Sequence, residues 1–295
     1  MKNTKNWFLR SGYLQGAFWA IMINVVASAN DVIMKYTGGR HHFIEVSFFR
    51  YLFSTLVILP YMFKNTTLFK TQHFGRHALR AFIGSTALTA CCFSVNIMPL
   101  YENTVIMFSQ PIFFLLLAHF LLDERVDFKR WLCTLFAFLG LAIVFYPGAH
   151  SFNWAALVPT VAAFLFAYSD IINKKMVMHE HTFTLLFYFG VGATLFSLVP
   201  LPWVWKMPTF EEMFFFALLG VGANLIQVCI FRAFTATDAS GLAPFRYVEL
   251  ITGGLFGYIF FQQIPEMHVL YGAIIIMLST FALTLYEKRF EQINA

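Results

Sequence analysis

Charge is what this sequence has least of. Only 12% of its 295 residues are Asp, Glu, Lys or Arg, about half the share of an ordinary soluble domain, while 59% are hydrophobic. Cysteine is also sparse: Cys91, Cys92, Cys133 and Cys229 sit inside apolar runs without metal-ligand spacing and read as small hydrophobes. No Ser/Gly-rich linker and no polar stretch long enough for a soluble ectodomain interrupts the chain. The nine histidines are scattered, with His41-His42 and His179, His181 in loops and no HExxH spacing, which argues against a metalloenzyme. No nucleophile with an adjacent base is visible, and neither is the carbonyl filter or charged ring of a channel. The formal net charge of +5 comes without a basic patch interleaved with exposed aromatics, so nucleic acid is not an expected partner.

What fills the sequence instead is a near-continuous series of apolar runs of bilayer-spanning length. Candidate spans cover residues 13–35, 43–63, 79–98, 103–122 and 131–146, then 154–173, 183–201, 213–232, 239–261 and 269–286. The expected fold is an all-α integral membrane protein of ten transmembrane helices. The first run lacks a small-residue cleavage site followed by a soluble domain, so it reads as a span rather than a cleavable signal.

Charge asymmetry gives the orientation. With the amino terminus inside, cytoplasmic segments carry fifteen Lys and Arg, Arg80 among them, and outer segments three, which places both termini in the cytoplasm and the protein in the inner membrane. Asp31-Val-Ile-Met-Lys35 near the end of the first span matches Asp170-Ile-Ile-Asn-Lys174 near the end of the sixth, and Gly84 aligns with Gly220. Five spans per half is odd, so the second copy enters from the opposite side. The expectation is two inverted five-helix repeats, residues 13–146 and 152–286.

Phe108-Ser-Gln-Pro-Ile-Phe113, Leu122-Asp-Glu-Arg125, Trp131 and Gly140-Leu-Ala-Ile-Val144 in the first half, with Ala243-Pro-Phe-Arg-Tyr247, Gly257-Tyr258, Pro265 and Gly272 in the second, resemble the drug/metabolite transporter superfamily, in particular its ten-helix EamA-type members. The Ala243 to Tyr247 run and Arg50 resemble the branch that contains riboflavin and S-adenosylmethionine carriers. The resemblance implies alternating access around a central cavity formed by helices one to four and six to nine, with the fifth and tenth at the periphery. Gln262-Gln263 stand where the first half has Asp123-Glu124, a departure from a carboxylate in both copies.

Candidate site residues are ionisable or polar groups inside the apolar spans, where lipid solvates them poorly. Arg50 reads as an anchor for a carboxylate or phosphate, an interhelical gate, or a charge that reaches the headgroups or pairs with Glu45. Arg246 and Glu249, spaced i, i+3 after Pro244, either neutralise each other or line the cavity with Tyr247 beside them. Pro111 disturbs the fourth span in the same way, with Gln110 as an uncharged partner. Asp31 and Asp170 suit proton or cation coupling, or local pairs with the Lys four residues on. Asn96, Asn224 and Gln227 are substrate contacts or interhelical glue. No cofactor is expected. The reading is a secondary transporter of a small organic metabolite, amino-acid-like, nucleoside-like or a vitamin, with a coupling proton or cation, as a monomer or weak homodimer. A broad exporter of hydrophobic cations and a non-transporting scaffold are the alternatives.

Overall fold

The computed structural model describes residues 13–121, 128–145, 154–177, 179–236 and 248–294. The described residues form eleven α-helices: α1 (Tyr13–Gly38), α2 (Phe43–Lys64), α3 (Phe74–Ile97), α4 (Leu100–Met107), α5 (Gln110–Leu121), α6 (Phe128–Phe145), α7 (Leu157–Val177), α8 (Thr182–Leu198), α9 (Phe210–Ala236), α10 (Val248–Phe261) and α11 (Met267–Asn294). Six stretches are long and apolar enough to cross a bilayer, including the composite of α4 and α5, and four shorter apolar helices complete a set of ten.

The fourth span, expected over residues 103–122 with Pro111 disturbing it, is formed by α4 and α5 together with a break between them. Pro111 has no N–H to return to the carbonyl of Met107, where α4 ends. The chain restarts with Pro111 in the first turn of α5, where a missing donor costs nothing, and the Ser109 carbonyl accepts from Ile112 and Phe113 at 3.0 and 3.1 Å.

The order of contacts along each helix pair gives its sense. α1 and α10 run parallel, Ser28 meeting Thr252 and, further along both, Lys35 meeting the Phe261 ring. α1 and α9 run antiparallel, with Tyr36 against Phe215 and Asn30 against Gly222. α2 is parallel to α9, through Phe49 on Phe216 and Ser54 on Asn224, and antiparallel to α8, through Thr55 on Gly190 and Tyr61 on Phe183. α3 is parallel to α8, with His77 on Tyr188 and Phe82 on Phe196. α4 is antiparallel to α10, and α6 to α11. Counting α4 and α5 as one span, these pairs run alike when both spans are odd or both even and opposed otherwise, as successive crossings of one layer require.

Contacts between the halves are reciprocal. α1 packs on α9 and α10, while α7 packs on α3 and α5. Gly84 in α3 leaves room for the Phe189 ring of α8, and Gly220 in α9 leaves room for Phe53 of α2; a Cβ at either glycine would press into that phenylalanine. His42 and His181, 139 residues apart, cap the starts of α2 and α8 with Nδ1 accepting from Ile44 and Phe183 N–H. α6 and α11 pack on each other at the edge, with Gly140 against Gly272, and turn Leu135, Leu139, Ile274 and Leu278 outward. That agrees with a peripheral fifth and tenth helix. The apolar interior runs between α1, α2, α3 and α9, where Met34, Val46, Phe49, Val95, Phe216 and Leu219 are buried together.

Candidate functional site

Polar groups concentrate where α1 meets α2 and α10. Asp31 lies on the α1 face that also carries Ser28, and the Ser28 hydroxyl is 2.6 Å from the Thr252 hydroxyl of α10. Spacing of i, i+3 puts both α1 residues on one stripe, and the same spacing joins Glu249 to Thr252 on α10. Asp31 lies within electrostatic reach of Glu249 and of Arg50 from α2. Arg50 is half-buried and its Nη1 donates to the Met34 thioether at 3.0 Å, a weak acceptor. Cys91 and Cys92 of α3 are buried within reach of the same guanidinium.

Two local pairings left open by the sequence are not the ones the structure makes. Lys35 does not turn back to Asp31; its ammonium donates to the carbonyls of Val95 and Met98, both at 2.6 Å, and so caps the end of α3. Arg50 does not pair with Glu45, whose carboxylate instead meets His41 at 3.0 Å and accepts from the Lys206 N–H at 3.0 Å. Among the described residues, Asp31 has no hydrogen-bond donor within range and Arg50 has no carboxylate within ion-pair distance. Asp31 therefore faces Arg50 and Glu249 at longer range, without a direct hydrogen bond or ion pair of its own among the described residues. The set has one positive and two negative formal charges.

A second polar cluster joins α3, α5 and α7. Gln110 donates to Asp170 at 2.7 Å, and Asp170 lies within reach of Arg80. Arg80 donates from Nη1 to the Leu185 carbonyl at 2.8 Å and its guanidinium covers the Phe189 ring. The clusters correspond in position, since 139 residues separate Asp31 from Asp170 and the same 139 separate Gln110 from Glu249. In each, an aspartate from the first helix of one half meets the fourth span of the other. The clusters differ at the aspartate: Asp170 is bonded directly to Gln110 in the second, whereas Asp31 in the first has no direct hydrogen bond among the described residues.

The remaining candidates fall elsewhere. Asn96 donates to the Cys92 carbonyl of its own helix at 2.7 Å and packs over Gly38, about 10 Å along α1 from Asp31. Asn224 donates to the Ser54 carbonyl at 2.8 Å and accepts from its hydroxyl at 3.2 Å, a clasp between α2 and α9. Gln227 is half-buried one turn further along α9. Pro111 marks the break between α4 and α5. Pro244, Arg246 and Tyr247 lie outside the described residues, as does any Arg246–Glu249 contact. Arg80 was placed by sequence in a cytoplasmic flank. α3 starts five residues before the span expected at Leu79, so Arg80 lies more than a turn inside the helix, where it is buried. Ser28 and Thr252 gave no sequence signal, being single hydroxyls in apolar runs. Among the described residues, no group of three or more His, Cys, Asp or Glu is arranged to hold a metal ion.

Comparison with known proteins adds the following. The model of the EamA-like transporter family matches the chain twice, over residues 14–146 and 153–285. An S-adenosylmethionine uptake transporter of Rickettsia felis is 37% identical over 94% of this chain and 95% of its own length. A riboflavin transporter of Vibrio cholerae is 29% identical over 94% and 95%, and the pseudopaline exporter CntI of Pseudomonas aeruginosa is 24% identical over 92% and 97%. One crystal structure of a protein superposes with a TM-score of 0.63 at 14% identity, covering 94% of this chain and 97% of that one, a likeness of fold.

Proposed function

The chain belongs to the EamA-like transporter family, whose members are transporters and not enzymes, and from that premise we propose that it carries S-adenosylmethionine into the cell across the inner membrane. The observation that carries this reading is the Asp31, Arg50 and Glu249 cluster. S-adenosylmethionine bears a carboxylate, an ammonium and a sulfonium, and the cluster brings a guanidinium and carboxylates, groups of the complementary signs, into one region. Arg50 is the carboxylate anchor, because a guanidinium fork matches a planar carboxylate in two bonds. Asp31 and Glu249 face the two cationic centres. The similarity to the Rickettsia uptake transporter, over nearly the whole of both chains, supports the same substrate.

Alternating access follows from two inverted halves, residues 13–146 and 152–286, which can exchange conformations about a central site. The alternating helix senses and the reciprocal packing of α1 with α10 and α7 with α5 support that arrangement. Asp31 serves as the coupling carboxylate for a proton or cation, and Asp170 as its structural counterpart. Both termini lie in the cytoplasm on this reading, and the monomer is the transporting unit.

The experiment is labelled counterflow in proteoliposomes. Purified protein preloaded with unlabelled S-adenosylmethionine accumulates labelled S-adenosylmethionine, Arg50→Gln does so only at higher substrate concentration, and riboflavin competes weakly. Accumulation of riboflavin or of hydrophobic cations in preference, unaffected by Arg50→Gln, would overturn the assignment.

A further inference from the structure

Two histidine–carboxylate joints lie at opposite ends of the helix bundle. At one, His41 from the α1–α2 connection is buried between two carboxylates. Its Nδ1 is 3.0 Å from Glu45 Oε2, and its Nε2 is 3.0 Å from Glu212 Oε2 in the first turn of α9, an ion-pair contact rather than a straight hydrogen bond. Glu212 also accepts from the N–H and hydroxyl of Thr209 at 2.8 and 2.9 Å and lies 3.8 Å from Arg40. The imidazole ring packs edge-on against Phe216.

At the other end, Glu180 from the α7–α8 connection accepts from the Thr71 hydroxyl, meets His73 Nδ1 at 3.2 Å and faces His77 Nε2 at 3.7 Å. Thr71 and His73 directly precede α3, and His77 is in its first turn. His41 and Glu180 are again 139 residues apart. Each joint therefore ties the connection between the first two helices of one half to the start of the third helix of the other half. Acid and base have changed places: the connection supplies His41 at one end and Glu180 at the other, while the third helix supplies Glu212 at one and the histidines at the other. The α1–α2 connection follows one crossing and the α7–α8 connection follows six, so the joints face opposite sides of the layer.

We propose that these joints are the outer and inner latches of the transport cycle, with His41 and Glu180 as the positioning residues that hold each end closed until the other has closed. This rests on the alternating-access reading above. A buried ring held between two carboxylates of different helices resists separation of those helices, because parting them strands a desolvated charge. A device of this kind at each end of a two-fold repeat makes the ends energetically comparable, as a protein that opens to either side in turn requires. Neither joint touches the Asp31, Arg50 and Glu249 cluster, so latch strength is separable from substrate affinity.

The test uses full-length protein with its four native cysteines replaced by serine and one reporter cysteine, either Val46→Cys, buried next to Glu45, or Leu185→Cys, buried one turn beyond His181. Labelling with a membrane-impermeant thiol reagent is followed in right-side-out and inside-out vesicles. His41→Gln is expected to raise labelling at residue 46 from outside about threefold to tenfold and to lower it at residue 185 from inside; Glu180→Gln is expected to do the reverse. Thr71→Val, which removes a neutral donor and leaves every charge, should give a smaller shift in the direction of Glu180→Gln. Because release of one latch favours closure of the other, the reciprocal pattern separates latch release from general loosening. Labelling that rises at both positions, or that stays at the unsubstituted rate in all three variants, would overturn the proposal. If the variants shift reciprocally but S-adenosylmethionine leaves the unsubstituted protein's labelling unchanged, the latches stand and the substrate assignment falls.

Discussion

Arg50→Gln should weaken S-adenosylmethionine transport through KM rather than through the amount of folded protein. In the structure the guanidinium has a sulfur acceptor at 3.0 Å and no carboxylate within ion-pair distance among the described residues, so its removal breaks no direct ion pair of the protein. If Arg50 is the proposed anchor, what is lost is a charge-assisted contact to the substrate carboxylate, and such contacts contribute about 1.5–3 kcal/mol. That corresponds to a roughly tenfold to 150-fold rise in KM at little changed abundance. Arg50→Lys keeps the charge but not the fork and should fall between the two. The assay is initial-rate uptake of labelled S-adenosylmethionine into proteoliposomes over a wide concentration range, with protein quantified in the same vesicles. A KM for Arg50→Gln within twofold of the unsubstituted value would refute the anchor.

Three further outcomes follow. Asp31→Asn should uncouple uptake from a proton gradient while leaving counterflow measurable; equal loss of both would make Asp31 a binding group only. At the α7–α8 connection, burial opposes ionisation of Glu180, but hydrogen bonds from Thr71 and His73 outweigh it and hold the carboxyl below its ordinary value. Its stabilising contribution is therefore present above the ordinary carboxylate pKa and lost as pH falls below it, so the melting-temperature gap between the unsubstituted protein and Glu180→Gln should be full at pH 7 and shrink toward pH 4; a gap constant with pH would contradict this. Gly84→Leu and Gly220→Leu should each cost about 1–3 kcal/mol by forcing Phe189 or Phe53 out of contact, read as a lower melting temperature in detergent, and unchanged stability in both would contradict the close packing.

How much of this was legible beforehand depends on the kind of signal. Span length, charge bias and the Asp31 and Asp170 repeat are written along the chain, and ten apolar segments could be read from them, while the peripheral place of the fifth and tenth came from the family resemblance. The break at Ser109 announced itself through Pro111, although its effect was to end one helix and start another rather than to bend one. Partner choice was not legible. Lys35 is four residues from Asp31 and chooses the end of α3; Arg50 is five residues from Glu45 and faces Asp31. Asn224 looks the same in sequence whether it binds substrate or clasps Ser54. Periodicity reports the face of a helix but not which helix stands opposite, and in a chain this apolar many packings satisfy the same pattern. Arg80 was missed for a different reason. Arg80 stands at the edge of its apolar run and was counted with the flank, but the helix continues outward to Phe74 and the guanidinium finds the Leu185 carbonyl and the Phe189 ring of α8.

The most direct test of the central claim is labelled S-adenosylmethionine counterflow by the purified protein in sealed proteoliposomes. The account predicts saturable, stereospecific accumulation that is abolished in empty vesicles and shifted to higher concentration by Arg50→Gln. Protein that is folded and correctly inserted, yet exchanges no S-adenosylmethionine while exchanging a different metabolite at normal rates, would contradict it.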